Sequence, residues 1–107
     1  MDKECFELCK EVSEKTDWKG GNLRWWVSNK QTIEGEVHTA INSICPLYTS
    51  DYLLEKLPSI LPIDDFFNLT NELGRWFAGY THIKAEADTP LKSLLKLTLA
   101  LHEAGEL

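Results

Sequence analysis

The spacing of hydrophobic and polar positions changes several times along the chain, and each change marks an element. From Asp2 to Thr16 the apolar positions recur at helical intervals. Cys5, Cys9, Val12 and Thr16 form one stripe that Phe6 and Leu8 widen, which predicts an amphipathic helix ended by Gly20-Gly21-Asn22. Over Leu23–Ser28 the pattern alternates, with Leu23, Trp25 and Val27 on one face and Arg24, Trp26 and Ser28 on the other, as in a strand. Asn29-Lys30 reads as a turn that returns Gln31–Glu34 as a second strand. Val37, Ala40, Ile41, Ile44 and Cys45 fall at helical spacing and predict a helix over Glu36–Cys45, while the β-branched content and Gly35 leave extended structure open. Pro46 ends either form.

In the second half, Thr49 and Ser50 can cap a short helix, Asp51–Leu57, that turns Leu53, Leu54 and Leu57 inward until Pro58 stops it. Pro58 and Pro62 frame a loop holding Ile60 and Leu61, followed by Asp64-Asp65. Phe66–Thr70 then reads as a strand, Asn71–Gly74 as a turn and Arg75–Tyr80 as the partner strand. Trp76, Ala78 and Tyr80 share one face, and Phe77, Gly79 and Thr81 the other. A turn near Thr81-His82 and a third short strand, Ile83–Ala87, lead to the strongest signal in the chain. Thr89 caps a helix, Pro90 suits its first position, and Asp88 adds negative charge near the positive end of its dipole. Leu91, Leu94, Leu95, Leu97, Leu99, Ala100, Leu101 and Ala104 then make a stripe too wide for a surface helix, closed by Gly105. The pattern predicts an α+β fold: a small antiparallel sheet of three or more strands packed with helices, with the C-terminal Leu-rich helix as core spine.

Three local signatures occur in order: Tyr48-Thr49-Ser50-Asp51 before a helix, Gly74-Arg75-Trp76-Phe77-Ala78 in a strand, and Ala87-Asp88-Thr89-Pro90 before the last helix. As a set they resemble the small phage and prophage proteins of the phage ABA (α-β-α) sandwich family. The likeness covers Tyr48 to Leu107. It implies an antiparallel sheet with helices packed on it and an origin on a mobile element, and it implies no reaction and no catalytic residues. Residues 1–47 then read as an added helix and β-hairpin on one 107-residue domain.

Composition narrows the function classes. With 43% hydrophobic and 26% charged residues, the chain has the make-up of an ordinary soluble globular protein. A net charge of −6 opposes broad phosphate binding, so nucleic acid is not an expected partner, whereas an acidic surface favours basic partners or simple solubility. The N-terminus lacks an apolar signal region. The Leu91–Leu101 run, broken by Lys92 and Lys96, falls short of the roughly 20 residues needed to cross a bilayer. A cytoplasmic protein with no membrane contact is expected, and three cysteines, an odd number, fit a reducing compartment.

Candidate chemistry is sparse. Cys5 and Cys9 share a helical face, but no second pair joins them, and Cys45, His38 and His82 stand apart in sequence, so no metal or other cofactor is expected. No nucleophile elbow or catalytic-cysteine signature accompanies Cys45, and Gly20-Gly21 lacks the Lys-Ser/Thr of a phosphate loop. Asp64-Asp65 and Glu86/Asp88 read as loop and helix-start charges, and His102 as a helix-end residue facing solvent or the negative dipole. The expectation is therefore a non-catalytic phage or prophage accessory protein that binds a host or phage macromolecule and inhibits a host defence system. Its contact surface is expected on the acidic face of the first helix (Glu4, Glu7, Glu11, Glu14) or at Arg24 and Trp26, a pair of types enriched in hot spots. One alternative is a nucleotide-like ligand held by Trp26, Arg75, Trp76 and Tyr80. Another is a homo-oligomer joined at sheet edges.

Overall fold

The structure, a computed structural model, describes residues 3–20, 23–27, 33–37, 43–62 and 64–107. In chain order these form α1 (Lys3–Lys15), β1 (Leu23–Val27), β2 (Ile33–Val37), β3 (Ser43–Pro46) and α2 (Ser50–Lys56). There follow β4 (Ile60–Leu61), β5 (Asp65–Phe66), β6 (Asn68–Glu72), β7 (Arg75–Gly79), β8 (Lys84–Ala87) and α3 (Pro90–Glu103). The strands make three antiparallel sheets in the orders β2-β1-β3, β4-β5 and β6-β7-β8. The fold is α+β, as the hydrophobic pattern predicts.

Helix α3 organises the core for reasons local to its sequence. Thr89 sits in extended geometry and its hydroxyl accepts from the Lys92 N–H, Pro90 takes the first turn, and Glu106 N–H closes the end on Leu101 O at 2.9 Å. Leu94, Leu95, Leu97 and Leu101 are fully buried. One side of α3 carries β7 and β8 and another carries α1, which in turn packs on β3. The two three-stranded sheets thus flank the helix pair. Two polar side chains buried in α3, Ser93 and Thr98, bond back to Pro90 O (2.7 Å) and Leu94 O (2.9 Å), so their burial strands no hydroxyl. Lys92, also buried, reaches Asp88 at 3.1 Å and Glu4 of α1 at 3.5 Å, tying the two helices together.

The stripe predicted for α1 is the one that buries: Cys5, Cys9 and Val12 enter the core, and Thr16 caps the end by donating to Val12 O at 2.7 Å. Beyond α1, two tyrosines fix the chain. Tyr48 donates its hydroxyl to Trp18 O, and the Gly20 N–H donates to the Tyr52 hydroxyl at 3.1 Å.

Several boundaries differ from the sequence reading. The described parts of 36–45 are extended, not helical, because β1 offers two edges: Trp25 stands opposite Gly35 of β2 and Cys45 of β3. Pairing to a neighbour overrides a helical spacing of this length. Pro46 is the last residue of β3, an edge strand, where a missing N–H is tolerated. The second strand of the N-terminal hairpin runs Ile33–Val37 rather than from Gln31 to Glu34, and the Asn29-Lys30 turn lies outside the described residues. Leu53 and Leu57 of the α2 region are buried, but Leu54 is exposed, since so short a helix presents one narrow stripe. The Pro58–Pro62 stretch is no plain loop, because Ile60 and Leu61 pair with Phe66 and Asp65. Strand β6 therefore begins at Asn68, and its turn shrinks to Leu73-Gly74.

Candidate binding face

Alternation decides what the β6-β7-β8 sheet shows to each side. Leu69, Ala78, Ala85 and Ala87 turn towards α3 and the core, with Trp76 half-buried on the same side. The other face bears three cross-strand rows: Glu72 opposite Arg75, Thr70 opposite Phe77 opposite Glu86, and Asn68 opposite Gly79 opposite Lys84. Here α3 offers no cover, and the face holds a groove of about 450 Å³ lined by Phe66, Asn68, Thr70, Glu72, the stretch Phe77–Thr81 and Lys84.

Two local facts shape this groove. A Cβ on Gly79 would lie 2.3 Å from Ile83 O, because the chain turns back so tightly after β7 that Tyr80 N–H donates to Ile83 O at 2.7 Å. Only glycine fits, because the Ile83–Lys84 backbone occupies the place a side chain would take. The doublet Phe66-Phe67 supplies the aromatic end. Neighbouring residues of an extended segment face opposite ways, so Phe67 packs edge-on against Tyr80 (centroids 5.8 Å apart) while Phe66 stays 66% exposed. The charges on the face are unevenly neutralised. Arg75 donates to Glu86 at 3.1 Å, whereas Lys84 and Glu72 make no ion pair among the described residues.

At the groove's end Asp65, itself buried, joins two hairpins. Its Oδ1 accepts the Thr81 backbone N–H at 2.6 Å, and its Oδ2 meets His82 Nδ1 at 2.5 Å without a well-aligned hydrogen bond. The Thr81 amide holds the Asp65 carboxyl below its usual range against the opposing effect of burial. His82 remains largely exposed.

The residues singled out from sequence are scattered. Glu4, Glu7, Glu11 and Glu14 are all exposed on α1, with Glu4 directed to Lys92 and Glu11 paired with Lys15 at 2.9 Å. Arg24 is half-buried and lines a shallower hollow with Trp18, Lys19 and Pro46. The Trp26 side chain and His38 lie outside the described residues. Its neighbour Trp25 is buried, edge-on to Phe6 at 5.5 Å between centroids. Arg75 and Trp76 occupy opposite faces of β7, and Tyr80 is buried with its hydroxyl donated to Pro58 O at 2.5 Å, so these three form no common cage. Sequence reasoning passed over Phe66, Phe77 and Lys84, although alternation already sends the two rings of the Phe66-Phe67 doublet to opposite faces.

Cys5, Cys9 and Cys45 are buried, unbridged thiols. Donation from Cys5 brings the Cys9 thiol down to about 7 against the effect of burial, while burial pushes Cys45 up to about 11. Among the described residues no three His, Cys, Asp or Glu side chains are grouped to hold a metal ion, and no helix is long and apolar enough to cross a membrane. No protein-family model, curated protein or solved structure matches the chain, so the open face has to be read from its own geometry.

Proposed function

We propose that the chain is a phage or prophage accessory protein that acts by binding another macromolecule, without catalysis, through the open face and tip of the β6–β7 hairpin. The observation that carries this reading is apolar side chains held in water where the fold gains nothing from them. Phe66 is 66% exposed, and Leu73 at the hairpin tip is fully exposed in a left-handed conformation with φ 51°. The resemblance of residues 48–107 to the phage ABA sandwich family supports the mobile-element origin, and antagonism of a host defence complex is the role we assign on that basis. The acidic face of α1, with Glu7 and Glu14 free of ion pairs among the described residues, is a second contact surface in this reading. A nucleotide-binding role for Arg75, Trp76 and Tyr80 gains no support, because the three do not converge.

The test is co-purification from bacterial extract with the tagged protein and two exposed-site variants. Phe66→Ser with Leu73→Asn should abolish capture of a partner that the parent retains, and Glu7→Lys with Glu11→Lys should weaken it. Unchanged capture by the folded Phe66/Leu73 variant removes the hairpin from the interface.

A further inference from the structure

We infer that the groove on the open face receives a short extended peptide segment of the partner, patterned acidic, any, aromatic, any, basic. This rests on the reading of that face as the contact surface and names the chemistry of what it contacts.

Size comes first. Strands β6 and β7, of five residues each, run about 17 Å, and with the four-residue β8 at about 4.8 Å spacing they make a face of at most roughly 250 Å². A stable contact between folded proteins buries about 800 Å² on each side, so neither a second copy nor a broad protein face is anchored here alone. An extended segment of five residues has the length of this face, and a groove of about 450 Å³ accepts one large side chain with its flanks.

The three rows then specify the side chains. Successive rows along β7 are two residues apart, which is also the interval at which an extended peptide presents side chains to one side. The Asn68-Gly79-Lys84 row offers an ammonium group without an ion pair among the described residues. The central row offers the Phe77 ring, and Phe66 stands exposed beyond the Asn68-Gly79-Lys84 row. The last row offers the Glu72 carboxylate, while Arg75 is already held by Glu86. A peptide laid along β7 therefore meets cation, ring and anion in that order. Its complement is a carboxylate, an aromatic ring and a cation at alternate positions. The order of the two charges sets the chain direction, since a peptide laid the other way would bring like charges together at both ends. The face excludes polyanions, because Glu72 opposes a second negative charge.

The experiment is an amide-shift NMR titration of the full chain with acetyl-Glu-Ala-Trp-Ala-Lys-amide. Shifts are expected at Asn68, Thr70, Phe77, Gly79 and Lys84. Replacing the peptide Trp by Ala should weaken binding about tenfold, the loss of one good aromatic contact. Lys84→Glu, at an exposed site, should weaken binding of this peptide and tighten binding of acetyl-Lys-Ala-Trp-Ala-Lys-amide. No binding at millimolar peptide, shifts centred elsewhere, or indifference to the ring and to the Lys84 charge reversal each overturn the inference. If the peptides fail while the Phe66/Leu73 variant still loses its partner, the contact surface stands and only its occupant was misread.

Discussion

Asp65 reaches from the β4–β5 hairpin to the turn after β7, where its carboxylate accepts the Thr81 backbone N–H at 2.6 Å. A single buried acid thus fixes the end of the open face relative to the small hairpin that carries Phe66. Because that bond lowers the folded-state pKa below 3.8, the stabilisation is complete above the unfolded value and is lost as pH falls through the folded one. Urea melts between pH 6 and about pH 3 should show stability dropping on acidification, and Asp65→Asn should be less stable at pH 6 with a flatter acid limb. Parallel curves for the two proteins would remove Asp65 as the cause.

Two buried tyrosines contribute to the basic limb, beside the raised Cys45 thiol. Burial raises Tyr48 and Tyr80 from 10 to about 12, so the unfolded chain ionises first and stability falls as pH climbs from 10 through 12. Both hydroxyls donate to carbonyls, Tyr48 to Trp18 and Tyr80 to Pro58, and ionisation would end both bonds. The double variant Tyr48→Phe, Tyr80→Phe should lose stability at pH 8 yet show a shallower decline across this window, followed by circular dichroism.

Leu73 occupies the first central position of a two-residue hairpin turn in which it and Gly74 both have positive φ, 51° and 82°. Such turns favour Asn-Gly, and a leucine there costs energy in backbone conformation without any burial in return. Leu73→Asn should therefore stabilise the fold by about 0.5–1 kcal/mol while impairing partner capture. A thermal melt and the co-purification assay read the two effects separately, and a variant that binds unimpaired would make the leucine incidental.

Truncating the spine tests the architecture. Leu94→Ala or Leu95→Ala, both fully buried, should cost about 2–5 kcal/mol in urea melts. Thr89→Ala, which deletes the cap on the Lys92 N–H, should cost about 1 kcal/mol. Near-neutral results at both leucines would displace α3 from the centre of the core.

How far the sequence reaches is clear from particular elements. Thr89, Pro90 and the leucines of α3 act within a few residues of one another, so cap, start and buried stripe were all readable in order. The β6–β7 hairpin was readable through alternation, and α1 through its Cys5, Cys9, Val12 stripe. The strand character of the described parts of 36–45 was not, because β1 imposes it from a distant stretch of chain.

The candidate site divides the same way. Sequence alone determined that Trp76, Ala78 and Tyr80 share one face of their strand and Phe77, Gly79 and Thr81 the other, and that the chain is acidic overall. Only the tertiary structure decided which phenylalanine is exposed, that Tyr80 spends its hydroxyl on Pro58, that Asp65 meets Thr81, and that α3 covers one face of its sheet and leaves the other open. The physical reason is range: capping and alternation act over a few bonds, whereas burial, pairing and uncovered surface depend on residues that only folding brings together.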